Sequence, residues 1–425
     1  MPTTPELIAG IFRQESGRIL AGLIRRAGSM DRAEEALQEA FMLALEKWPG
    51  AGAPANPAAW LTTVAQRKLV DGARREKTHR EKEDELRYEL ERLPSEPIGW
   101  PMPPESGTGG QFPSDFPDER LRLLFTCCHP ALEPRAQVAL TLRTLGGLTT
   151  PEIAHAFLVP EPTLAQRIVR AKRKIEAARI PYEVPAAAAL PERLASVQAV
   201  IYLVFNEGYS ASAGDSLIRR ELCQEAIRLG RMLCALMPGE GENWGLLALM
   251  LLQDSRREAR VNPEGELVPL EEQDRGRWDR GRIGEGLELV ERALRLPGVG
   301  PQRVQAAIAA CHAQAPAAGA TDWPQIAALY GRLVEFVPGP IVRLNRAVAV
   351  AMSPGPESGL EAGLALVEGL EDALDGYHLY HAARADLLRR LGRRTEAAAA
   401  YQRALALTSN AVERRYLRRR GREVE

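Results

Sequence analysis

The sequence predicts an all-α protein: two small helical domains joined by a flexible linker, then a larger helical domain. Three observations carry that prediction. Apolar residues recur three and four positions apart in one stretch after another, the period of a helix with one buried face. Aromatic residues make up only 5% of the chain, and Ala and Leu dominate many segments, which favours helix over strand. Pro94 to Pro117 is dense in Pro and Gly with little apolar periodicity, the signature of a linker. The expected domains are 1–92, 118–184 and 190–425, with the linker at 93–117.

In the first domain, Ile8, Phe12, Ile19 and Leu23 keep helical spacing within residues 6–27. A second helix begins near Asp31, a suitable cap, and runs to Trp48. Leu37, Phe41, Ala44 and Trp48 form its apolar face, and Asp31, Glu34, Glu35, Gln38 and Glu39 form an acidic outer patch. Taken alone, ordinary solvation explains such a patch. Pro49 to Pro57 is too rich in helix breakers to be helical. A third helix follows from Ala58, with Leu61, Val64, Ala65 and Leu69 inward. Its far end is basic, with Arg67, Lys68, Arg74, Arg75, Lys77, Arg80 and Lys82 outnumbering Asp71, Glu76 and Glu81. Glu83 to Arg92 reads as a charged helical tail.

Beyond the linker, Asp118 to Gly146 reads as supporting helices, with Leu121, Leu124, Phe125, Val138 and Leu142 inward. The run CCHP at Cys127–Pro130 raises the question of a metal. Adjacent cysteines on a helix point about 100° apart, and no second ligand pair follows at a usual spacing, so buried thiols are the better reading. No metal and no cofactor is expected.

Gly147 to Ile175, GLTTPEIAHAFLVPEPTLAQRIVRAKRKI, predicts two short helices around a tight turn. Thr149 or Thr150 can cap the first, and Glu152 can complete a capping box. Ile153 and Phe157 share its inner face. Pro160 ends that helix, and Pro162 suits the first turn of the next. In the second helix Leu164, Ile168, Ala171 and Ile175 make one apolar face, while Gln166, Arg167, Arg170, Arg173 and Lys174 are polar. A buried stripe backed by amide and guanidinium groups is what a helix needs to enter the DNA major groove. The turn and preceding helix favour a helix-turn-helix over a solvated basic helix.

The third region carries helical stretches at 191–206, 217–236, 242–259, 283–296, 301–314, 324–336, 341–352, 360–370, 377–391 and 394–408. Near its end Ala385, Leu388, Gly392, Ala397, Tyr401 and Ala404 keep the spacing of a tetratricopeptide (TPR) helix pair. Polar clusters at Asn206 and Glu207, 253–260 and 271–280 come without a metal spacing, nucleophile elbow or phosphate loop. A buried ion-pair network plus a surface loop is the favoured reading, and no enzyme activity or catalytic residue is expected.

The whole chain has a net charge of −1, so any attraction for nucleic acid has to come from local segregation of charge. The N-terminus lacks a signal-peptide pattern. The longest apolar run, Leu246 to Leu252, is too short to span a bilayer. Five cysteines with no Cys-x-x-Cys pair read as reduced intracellular thiols. Cytoplasm, with no membrane partner, is the expectation.

Glu152, Ile153, Ala154, Thr163, Leu164, Arg167, Arg170, Ala171, Lys172 and Ile175 follow a pattern that resembles the second DNA-binding region of bacterial sigma-70 class sigma factors. The likeness is greatest to the short extracytoplasmic-function (ECF) type. DRAEEALQEAF and WLTTVAQRKLVDGARR, at 31–41 and 60–75, resemble the acidic and promoter-binding helices of the same family. IYLVFNEGYSAS, Ile201 to Ser212, is similar to a hallmark of the ECF subgroup with a long TPR-like C-terminal extension. The resemblance implies core RNA polymerase (its β′ clamp helices and β flap) and promoter DNA as partners; the stacked helix pairs of the extension offer a surface for a protein partner. By matched position, Asp31, Glu34, Glu35, Gln38 and Glu39 would face polymerase. Asn56, Trp60, Thr63, Arg67, Arg74 and Arg75 would face −10 DNA. Thr163, Gln166, Arg167, Arg170, Arg173 and Lys174 would face −35 DNA. The competing reading is a helix-turn-helix regulator acting without polymerase, which would need neither the acidic helix nor the linker.

Overall fold

The computed structural model describes residues 4–72, 117–157, 159–211, 217–355 and 359–424. These form two compact units: 1–153 with 165–193, and 154–164 with 194–425. Every extended element among the described residues is helical, and β pairing amounts to an isolated Val261–Leu267 bridge. The charged tail at 83–92, and the linker up to its last residue, lie outside the described residues.

In the first unit, helices α1 (Thr4–Ala27) and α2 (Met30–Ala51) pack together through the stripes the sequence marks. Ile8, Ile19, Leu20, Leu23 and Ile24 are buried on one, and Leu37, Phe41, Ala44 and Trp48 on the other. Phe12 and Phe41 meet edge to face at 5.0 Å. Gly28, at φ 64°, lets the chain reverse between the helices. Helix α3 spans 57–72 and buries Leu61 and Ala65, while Val64 and Leu69 stay half-buried.

Helices α4 (Pro117–Cys127) and α5 (Pro134–Thr144) bury Leu121, Leu124, Phe125, Val138 and Leu142. Both adjacent thiols turn into this core, Cys127 Sγ lying 3.3 Å from Thr144 Oγ1 and Cys128 Sγ 3.5 Å from Thr141 Oγ1. Burial pushes the Cys128 thiol up to about 12 and raises that of Cys127 as well. Both are packing groups.

The second unit holds α9 (Arg220–Leu236), α10 (Gly241–Asp254), α11 (Arg280–Arg295), α12 (Pro301–Gln314), α13 (Trp323–Phe336), α14 (Pro340–Met352) and α15 (Leu360–Glu368). The short α16 (Glu371–Leu374), then α17 (His378–Arg390), α18 (Arg394–Leu407) and α19 (Ala411–Val424), complete it. Helix α8 (Leu190–Tyr209) begins at the boundary. Packing is mostly between neighbours in sequence, as in a stacked helical array. At the α17–α18 crossing Ala385, Leu388, Ala397, Tyr401 and Ala404 are all buried, and Gly392 turns the chain at φ 76°.

Three details depart from the expected helices. Helix α2 does not stop at Trp48 but continues through Pro49 to Ala51, so the loop expected at Pro49–Pro57 begins only at Gly52. The stretch expected at 242–259 ends at Asp254 and becomes a 3₁₀ turn at Arg257–Ala259. Helix α19 has no counterpart among the expected stretches. Two of the polar clusters hold ion pairs: buried Asp254 pairs with Arg257 at 3.2 Å and with Arg282, and Glu207 pairs with Arg219 at 3.1 Å.

Arginines also close helix ends. A helix leaves its last four carbonyls without intrahelical donors. Arg303 reaches the carbonyls of Leu296, Pro297 and Gly298 after α11, at 2.5–2.8 Å. Arg275 reaches those of His312 and Ala315 at the end of α12, both at 2.6 Å. Arg414 holds those of Leu405 and Thr408 at 3.0 Å after α18. Arg275 and Arg414 place a cation at the negative end of a helix dipole, whereas Arg303 ties down the turn that follows α11.

Candidate nucleic-acid interface

Helix α6 (Thr150–Ala156) is set by its cap. Glu152 Oε2 accepts from the Thr149 amide at 2.7 Å and from its hydroxyl at 2.8 Å, and the Glu152 amide is 3.4 Å from Thr149 Oγ1. This reciprocal box satisfies donors that a helix start leaves open. The helix stops at Ala156, so Phe157 falls in the turn, half-buried. Helix α7 (Glu161–Ala177) follows Val159 and Pro160, with the Leu164 amide donating to the Pro160 carbonyl.

Along α7 an apolar and a polar face separate, with Ile175 half-buried and Val169 exposed. Leu164, Ile168 and Ala171 are buried. Thr163, Gln166, Arg170, Arg173 and Lys174 are exposed, whereas Arg167 is half-buried. The outer face therefore presents an amide, a hydroxyl and three cations, with no carboxylate between Thr163 and Ile175. Such a face can donate to base edges and phosphates alike.

On α3 the structure divides the expected DNA residues. Asn56 caps the helix: its Oδ1 accepts from the Ala59 amide at 3.1 Å. Trp60 packs edge-on against buried Trp48, ring centroids 5.4 Å apart, so it is half committed to the core. Thr63 and Arg67 are exposed, and they line an open groove of about 540 Å³ with Arg26, Gln66 and Val70. Arg26 and Gln66 were not singled out from the sequence. Gln66 precedes Arg67 on the helix that carries the motif, but Arg26 belongs to α1 and only the fold brings it near. Arg74 and Arg75 lie outside the described residues.

The acidic patch on α2 is also divided. Asp31, Glu35 and Gln38 are exposed. Glu39 is half-buried and pairs with Lys68 of α3 at 2.9 Å. Glu34 is turned toward α7, where Lys172 holds it at 2.8 Å.

Residues 11–79 match the family described as Sigma-70 region 2, and residues 122–175 match Sigma-70, region 4. The first match contains α2 and α3, and the second takes in α5, α6 and most of α7. Residues 193–294 match a family of unknown function, DUF6596. An uncharacterized protein of Rhizobium meliloti (strain 1021) is 46% identical over 400 residues, covering 94% of this chain and 91% of that protein. No solved structure matches.

Proposed function

Because the chain belongs to the sigma-70 family, carrying its regions 2 and 4, we propose that it is an ECF-type sigma factor whose helical C-terminal extension modulates its activity. Regions 2 and 4 give it a role in promoter recognition with RNA polymerase, and sigma-70 proteins are transcription factors rather than enzymes. In this reading the exposed carboxylates of α2 meet the β′ clamp helices of core polymerase, and the region 4 helices meet the β flap. Thr63, Arg67 and the basic stretch after them take −10 DNA, and Thr163, Gln166, Arg170, Arg173 and Lys174 take −35 DNA. The protein works in the cytoplasm, beside its polymerase.

The observation that carries the reading is the division of α7. Its apolar residues Leu164, Ile168 and Ala171 are buried, the helix before it is capped, and its amide and cations face outward. The extension, 194–425, supplies stacked helix pairs, a surface suited to protein contact. Reconstitution tests the whole: the chain added to core polymerase should drive run-off transcription from a cognate promoter. Removing 194–425 should change that yield. A chain that neither binds core nor supports any transcript would overturn the reading.

A further inference from the structure

Two of the α2 carboxylates already have a partner. Lys172 Nζ lies 2.8 Å from Asp31 Oδ1 and 2.8 Å from Glu34 Oε2. The Lys172 side chain is 14% exposed and Glu34 17%, whereas Asp31 is 72% exposed. Burial alone would lower the Lys172 pKa, but Glu34 and Asp31 outweigh it and raise the pKa above its ordinary value, so the ammonium is held charged. Lys172 is also the α7 cation turned away from the exposed Arg170, Arg173 and Lys174.

The same two halves meet elsewhere. Gly17 of α1 sits so close to α5 that a Cβ there would lie 3.1 Å from the Leu145 backbone. The Tyr182 hydroxyl is 2.9 Å from the Ala21 carbonyl, and Arg25 pairs with Glu119 at 3.3 Å. Residues of the region 2 match are thus fastened to residues within and beside the region 4 match.

We infer that this contact is an autoinhibitory latch: Lys172 of α7 pairs with Asp31 and Glu34 on the face offered to core polymerase. The inference rests on the function proposed above. The form described here is the closed one, and polymerase competes with Lys172 for the same carboxylates. Geometry requires an opening in any case. Promoter elements about 25 positions apart are separated by ~85 Å at 3.4 Å per base pair. Helix α2, 22 residues long, spans only ~33 Å, and α7 lies within one lysine's reach of it. The two DNA-binding faces cannot sit on separate elements until Lys172 lets go. Apparent affinity for polymerase is then reduced by the fraction of molecules that are open.

The test uses the full chain with Cys311→Ser and fluorescent labels on cysteines placed at the exposed positions Met42 and Glu176. Lys172→Met removes the charge and keeps an apolar stem, while Lys172→Arg keeps the charge. The parent should show high energy transfer that falls on adding core polymerase. Lys172→Met should lower transfer without polymerase and tighten core binding by about five- to tenfold, as expected if roughly nine molecules in ten are closed. Lys172→Arg should resemble the parent. The latch is overturned if Lys172→Met changes transfer or affinity by less than twofold, if Arg behaves as Met does, or if transfer stays high in the polymerase complex. Glu35→Lys, an exposed change on the same face, separates the two readings. If it leaves core affinity intact, α2 is not the docking face; if it abolishes binding while Lys172→Met has no effect, only the latch fails.

Discussion

Replacing Arg170 and Lys174 separately by Ala distinguishes base reading from phosphate anchoring on one helix. Both side chains are exposed on α7 and neither supports its buried stripe, so each change should alter stability by no more than about 0.5 kcal/mol. Their effects on DNA should differ in kind. Arg170 lies one turn nearer the start of the helix, on the exposed face with Gln166, where a recognition helix meets base edges. Losing one base contact costs on the order of 1–3 kcal/mol, or roughly 5- to 150-fold, and relaxes preference at one position. Lys174 stands a turn further on, where losing a phosphate contact weakens all sequences alike and lowers the salt slope by about one. Arg167, in the same motif, is half-buried and is the poorer choice for this comparison. The assay is binding of reconstituted holoenzyme to matched and mismatched −35 duplexes across a salt series. If Arg170→Ala and Lys174→Ala behave identically on both axes, α7 does not lie in the groove in this orientation.

Further outcomes follow from single contacts. Asn56→Ala should cost about 1 kcal/mol in denaturant unfolding through loss of the α3 cap, while Asn56→Ser keeps the cap and the promoter preference; altered −10 preference in the Ser variant would return Asn56 to the DNA face. Thr149→Ala should cost a similar ~1 kcal/mol through the α6 box, read by thermal unfolding. Asp254→Ala strands Arg257 and Arg282 in a buried network and should cost about 3–5 kcal/mol, measured in denaturant. In a native thiol titration half-buried Cys311 should react first. Burial raises the Cys223 and Cys234 thiols to about 12, as it does Cys128, and these should react only on unfolding.

Local signals made much of the architecture legible. The Thr149–Glu152 box, the Pro160 stop and the α7 stripe each depend on residues within four positions of one another, so reading and structure coincide there. Helix α19 shows where local reading ends. Its Arg-rich sequence offers only Val412, Leu417 and Val424 as buried apolar residues, too sparse for a helical stripe. Leu417 and Val424 join the core of α17 and α18, and distant carboxylates add to them, Arg419 pairing with Glu266 and Arg420 with Glu272. At the interface the limit is similar. Lys172 meets Asp31 across 141 positions of sequence, and no spacing rule announces such a pair. Asn56 shows a different limit, because an Asn before a helix suits a cap and a base contact equally well.

The arginines that close helix ends have a chemical consequence. A planar guanidinium can serve two or three carbonyls at once, a geometry an ammonium lacks. From Ile175 to Glu425 the sequence contains no lysine at all; Lys47, Lys68, Lys77, Lys82, Lys172 and Lys174 all precede it. Amine-reactive cross-linkers, acetyl transfer to lysine and lysine-specific proteases can therefore act on lysine only in the promoter-binding half. Complete digestion by such a protease leaves 175–425 as a single uncut piece, ready to be weighed or tested for partners of its own.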